Sequence, residues 1–143
     1  QTVKAVASIA ATDNDGDTVI LARNLPIATV VTRLFLPKTV SITAGSDYDI
    51  GFYKVGREDG DDLGEVIDKD ALADGLDADT GLAVGDVLGA NISPFDETKT
   101  IAELLGIEDD QAYAGGVHLV LTLNTAGTAA GTVDMDISLA MAG

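Results

Sequence analysis

The run GTVDMDISLAMA at 131–142 constrains the fold more than any other stretch. Val133, Met135, Ile137 and Leu139 alternate with Thr132, Asp134, Asp136 and Ser138. Successive side chains of a strand point to opposite faces, so this run reads as a strand with one apolar and one polar face. Comparable runs, rich in β-branched residues and bounded by turn residues, fill most of the chain. They predict strands over residues 2–12, 18–23, 29–36, 39–43, 47–55, 81–92, 115–124 and 131–142. In the first, Val3, Ala5, Ala7, Ile9 and Ala11 share a side. Asn24 to Pro26 interrupt the second, and Pro37 stops the third. The expected class is all-β, a β-sandwich or jelly roll of about seven strands in one domain spanning 1–143.

Two segments break the pattern. GREDGDDLGE at 56–65 is acidic and glycine-rich and predicts an exposed loop. VIDKDALADGL at 66–76 predicts a helical turn from Lys69 to Asp74, closed by Gly75. One short helix, at about 100–106, is marked by a capping box. Thr100 stands at the N-cap and Glu103 at the third helical position, where each side chain can satisfy a backbone N–H of the other. Gly106 falls where a left-handed residue ends a helix. Ile101, Leu104 and Leu105 share a face able to plug the end of a sandwich.

Composition narrows the function. The chain carries 24 acidic and 8 basic residues, a formal charge of −16. Such a charge repels phosphate backbones and anionic lipid, so neither nucleic acid nor membrane is an expected partner. No cysteine is present, which excludes disulfides and thiolate metal sites. No apolar run is long enough to span a bilayer as a helix. QTVKAVASIAAT at the start is too short and too weakly basic for a secretory signal. Aromatic residues are scarce, and a core of small side chains buries less area per residue. Stability gained by burial in an oligomer or against a host assembly is the compositional expectation.

No motif assembles an active site. TDNDGDT at 12–18 places Asp13, Asp15 and Asp17 at alternate positions, as a calcium loop does. A loop of that type starting at Asp13 needs glycine at its sixth position and glutamate at its twelfth, where Thr18 and Asn24 stand. Asp15-Gly16 instead predicts a type I′ hairpin turn between two strands. DTG at 79–81 matches the aspartic-protease triplet, but Asp77 and Ala78 precede it in place of an apolar strand. His118, the single histidine, is expected on a strand face. No lysine follows a glycine, so a phosphate-binding loop is absent. Asn91-Ile92-Ser93 fits the glycosylation pattern but is followed by Pro94. The run Glu58 to Asp62 is expected to be a solvated loop tip. No catalytic, cofactor-binding or metal-binding residue is assigned, and no enzymatic activity is expected.

The order of several short pieces carries a resemblance. DTVILARNLPIATVVTRLFL is followed by SDYDIGFY, ADGLDADTGLAVG, TIAELLGI and GVHLVLTL. This resembles small tailed-bacteriophage head decoration and cement proteins, capsid-stabilising proteins with a jelly-roll-like β-sandwich. The matching features are the Leu25-Pro26 step, the Asp49 to Phe52 strand, the Asp74 to Asp77 loop and the Glu103 to Ile107 helix. The likeness spans about Asp17 to the end, and KVGREDGDDLGEVI is longer than that pattern. The resemblance implies a structural virion protein on the outer surface of the capsid. Its implied partner is the phage major capsid protein, and its implied state is a homo-oligomer, with a trimer favoured. The alternative is a β-sandwich binding module of adhesin or fibre type that uses its acidic loops. An aspartic-type hydrolase is a third reading, which the context of DTG opposes.

Overall fold

The alternating runs become strands that pair in a nested order. In the structure, a computed structural model describing residues 1–56, 63–108 and 110–141, the strands are β1 (Thr2–Ile9), β2 (Asp17–Leu25), β3 (Thr29–Leu36), β4 (Asp47–Val55), β5 (Leu63–Leu76), β6 (Gly85–Asp86), β7 (Val117–Thr125) and β8 (Gly131–Met141). One sheet runs β1-β8-β3-β6 and the other β2-β7-β4-β5. The first strand pairs with the last, the second with the seventh, the third with the sixth and the fourth with the fifth, all antiparallel. This nested pairing, wrapped into two stacked sheets, is the jelly roll. The expected all-β sandwich is therefore the fold.

The core lies between the sheets. Ala5, Ala7 and Ile9 of β1, Val133, Met135 and Ile137 of β8, and Val31, Leu34 and Leu36 of β3 face inward from one side. Ile50 and Phe52 of β4 and Leu119, Leu121 and Leu123 of β7 face them. Tyr48 is also buried, and its hydroxyl donates to the Ala126 carbonyl at 2.8 Å, which removes the cost of hiding that polar tip.

Strand β7 is covered on both faces. His118, Val120 and Thr122, opposite the core side, are all buried. Tyr53 of β4, its hydroxyl 3.0 Å from Thr122 Oγ1, and Asn24 of β2, bonded to His118, supply part of the cover, and β5 supplies part. Between the pairs Ile50↔Ala73 and Phe52↔Asp68, β5 carries more residues than β4, and the excess crosses the outer face at Gly51. A Cβ at Gly51 would collide with the backbone of Asp68 and Lys69. Glycine is required there by close approach, not by a left-handed angle.

The helix α1 (Ile101–Leu105) forms as its cap signals predict. Glu103 N–H donates to Thr100 Oγ1 at 3.2 Å, and Thr100 N–H donates to Glu103 Oε1 at 2.9 Å. Gly106 ends the helix at φ 67. Ile101 is fully buried, while Leu104 and Leu105 pack half-buried against the core. The Ala102 N–H donates to the Ile27 carbonyl at 2.9 Å, which ties the helix across the entry to β3.

Four expectations are corrected. The stretch 12–18 is not a hairpin, because β1 and β2 belong to different sheets and the segment crosses between them. Gly16 has φ 92 but Asp15 is not left-handed, so the type I′ turn does not form. The segment Lys69 to Asp74 is strand, not a helical turn, because β4 offers it a ladder and the core takes Leu72 and Ala73. Residues 39–43 and 81–92 do not make full strands. Val40 and Leu82 form an isolated bridge, and only Gly85–Asp86 pairs with β3. Of the predicted loop 56–65, residues 63–65 belong to β5, and the run Glu58 to Asp62 lies outside the described residues.

Candidate functional site

The jelly roll brings the β4 and β5 carboxylates together on the outer face of the second sheet. Asp47 and Asp49 point outward from β4 by alternation, and the excess residues of β5 carry Asp68, Asp70 and Asp74 over the same surface. One carboxylate oxygen each from Asp49, Asp70 and Asp74 lies within 4.8 Å of the others. Among the described residues this is the one group of its kind. Such an all-oxygen set suits a hard cation such as calcium or magnesium better than a transition metal.

Asp49 is already engaged. Only 3% exposed, it accepts from the Gly75 N–H at 2.8 Å and from Asn124 Nδ2 at 2.7 Å. Asn124 also donates to Asp47 at 3.3 Å and accepts from Lys69 Nζ at 2.8 Å. These bonds stitch β4, β5 and β7 together, so the buried carboxylate supports the bulged crossing of β5.

Burial and neighbouring charge raise the proton affinity of two carboxyls here, Asp68 and Asp74. Burial, then hydrogen bonding with the Asp70 side chain and the Asp70 and Asp49 charges, pushes Asp68 up to about 6, against a smaller lowering by the Asp70 N–H. Asp74 is also raised, by desolvation first and then by the charges of Asp70 and Asp49. Beside the cluster lies a shallow groove of about 470 Å³, lined among others by Asn91, Ser93, Asp96 and Lys99.

The motifs singled out in the sequence lie elsewhere. Asp13, Asp15 and Asp17 do not converge. Asp13 accepts from the Ala10 N–H, Asp15 from the Ala126 N–H and Asp17 from the Asn14 N–H. Each carboxylate thus holds a different piece of loop backbone. In DTG, Asp79 accepts from the Ala44 N–H at 2.8 Å, and Asp77 accepts from Asp79 and Thr80 N–H groups in a local turn. His118 is buried on β7, where Nδ1 accepts from the Asn24 N–H at 3.1 Å. That bond is made where β2 shifts register beside the left-handed Asn24. A second groove, of about 610 Å³, is lined by Val3, Leu25, Pro26 and Met141 together with Arg23.

Sequence reasoning missed the β4–β5 cluster. The available signal was the alternation of Asp47 with Asp49 and of Asp68 with Asp70, which marks same-face carboxylates once both segments are known to be strands. No protein family, curated protein or solved structure matches the chain.

Proposed function

We propose that this protein is a structural virion protein that decorates a bacteriophage capsid and stabilises the shell. The observation that supports it best is the unequal division of charge between the sheets. Strands of the first sheet carry the acids Asp86, Asp134 and Asp136 and the bases Lys4 and Arg33. Lys4 pairs with Asp136 at 3.5 Å and Lys38 with Asp134 at 3.3 Å, while Arg33 lies over the Phe35 ring at 4.0 Å. Strands of the second sheet carry Asp17, Asp47, Asp49, Glu65, Asp68, Asp70 and Asp74 against Arg23, Lys54 and Lys69. In a chain of charge −16, the first sheet therefore carries nearly balanced charge. A protein surface can approach that sheet without long-range repulsion, while the acidic side faces solvent.

The partner on this reading is the major capsid protein, met at repeating positions on the outer surface of the shell. The acidic side then points away from packaged DNA. Several weak contacts on one oligomer act together, and avidity exceeds single-site affinity by roughly 10²–10⁴. The test mixes purified protein with shells that lack it, then measures occupancy and rupture temperature. Saturable binding with a raised rupture temperature is expected. Failure to bind both immature and expanded shells would remove the decoration reading and favour a fibre or adhesin role.

A further inference from the structure

The open edge of β1 has the geometry of a strand that pairs with itself. Leu139 N–H donates to the Gln1 carbonyl at 2.8 Å, and Gln1 N donates to the Leu139 carbonyl at 3.1 Å. From that pair the register with β8 runs without a shift through Val3↔Ile137, Ala5↔Met135 and Ala7↔Val133. Hydrogen-bonded and non-hydrogen-bonded pairs alternate along an antiparallel ladder. The N–H and C=O groups of Thr2, Lys4, Val6 and Ser8 therefore point away from β8, toward the open side. Their side chains stand on the exposed outer face of the sheet. Among the described residues β8 is the only ladder partner of β1.

The other sheet edges are blunted. β2 shifts register twice and begins at Asp17. β5 shifts register repeatedly and carries Glu65, Asp68, Asp70 and Asp74. β6 is two residues long. Bulges, charges and short length are the usual means of preventing edge pairing. β1 has none of them except Lys4.

We propose that β1 pairs antiparallel with β1 of a second copy about a two-fold axis, joining two four-stranded sheets into one continuous sheet. Charge selects the occupant. Two copies of charge −16 repel, and residues 1–12 form an acid-free segment, so this edge brings the copies together with the least repulsion. Side chains select the register. With Val6 opposite Val6 of the second copy, Lys4 falls opposite Ser8 and Thr2 opposite Ala10. The two valines, each 65% exposed in the single copy, then cover each other across the axis. A register centred on Lys4 would oppose two like charges directly. The contact is isologous, as a two-fold interface must be.

This pairing concerns the isolated chain and does not depend on the shell reading. Used alone it gives a dimer. The three-fold contact implied by the resemblance would need a different surface, and both together would give a six-copy particle. Light scattering coupled to size exclusion, across the micromolar range, measures the mass. An even multiple of the 14.6 kDa chain is expected, and Val6→Pro or Val6→Lys should halve it. Val6→Pro removes an edge donor without touching the β8 ladder, and Val6→Lys opposes two charges at the axis. Circular dichroism establishes that each variant is folded. Amide exchange in the wild-type chain gives a readout that needs no variant. The Thr2, Lys4, Val6 and Ser8 amides should be protected at high concentration and lose protection on dilution. A wild-type monomer or trimer, a mass unchanged by folded variants, or rapid exchange at those four amides throughout would each overturn the proposal.

Discussion

Replacing Asp68 with asparagine should remove a pH-dependent weakness from the fold. Asp68 feels the charge of Asp49 from β4 and the charge and side chain of Asp70 from its own strand. Its carboxyl is pushed from 3.8 to about 6. The folded state therefore holds that proton more tightly than the unfolded state does. The resulting stabilisation is fully present below the unfolded value and is lost as pH rises through the folded one. A rise of about two units corresponds to about 3 kcal/mol at full strength. Asp68 is only half-buried, so solvent screening reduces this to about 1 kcal/mol. For a domain of this size that is about 2–4 °C in melting temperature. Asparagine keeps the acceptor for the Asp70 N–H, which lies 3.3 Å from Asp68 Oδ1. Thermal melts of wild type and Asp68→Asn from pH 7 to pH 4 make the test. The variant should be the more stable at pH 7, and the two should converge near pH 4. Parallel curves, or a wild type that is the more stable at pH 7, would show that the cluster does not strain the fold.

Other substitutions test the local arguments. Thr100→Ala removes one half of the capping box and should cost about 1 kcal/mol in denaturant melts, while Thr100→Ser should recover most of it. Gly51→Ala places a methyl against the backbone of Asp68 and Lys69 and should cost about 1–3 kcal/mol, with faster amide exchange along β5. A neutral result at Gly51 would mean that the β5 crossing is not packed as described.

The legible part of the fold is the part set by local alternation. β8 and β1 each bury one face, so period-two patterning places them directly, whereas β3 changes parity at the shift between Val31 and Arg33. The α1 cap is legible for a similar reason, since Thr100, Glu103 and Gly106 act on their own turn. The failures lie where a distant partner decides. DKDALAD has composition that suits a helix, but Leu72 and Ala73 are drawn into the core and β4 supplies the ladder. Asp15-Gly16 signals a turn chemistry, yet no local signal says whether the next strand returns to the same sheet. Asp49 and the β5 aspartates are brought together only by a bulge at Gly51, and among so many carboxylates no pair stands out in the sequence.

An image reconstruction of capsids saturated with this protein tests the decoration reading most directly. The expected result is added density at repeating positions on the outer surface, fitted by the jelly roll, with the β1-β8-β3-β6 sheet toward the shell and the acidic β5 side toward solvent. Shells with no added density, or a jelly roll bound through its β5 face, would contradict it.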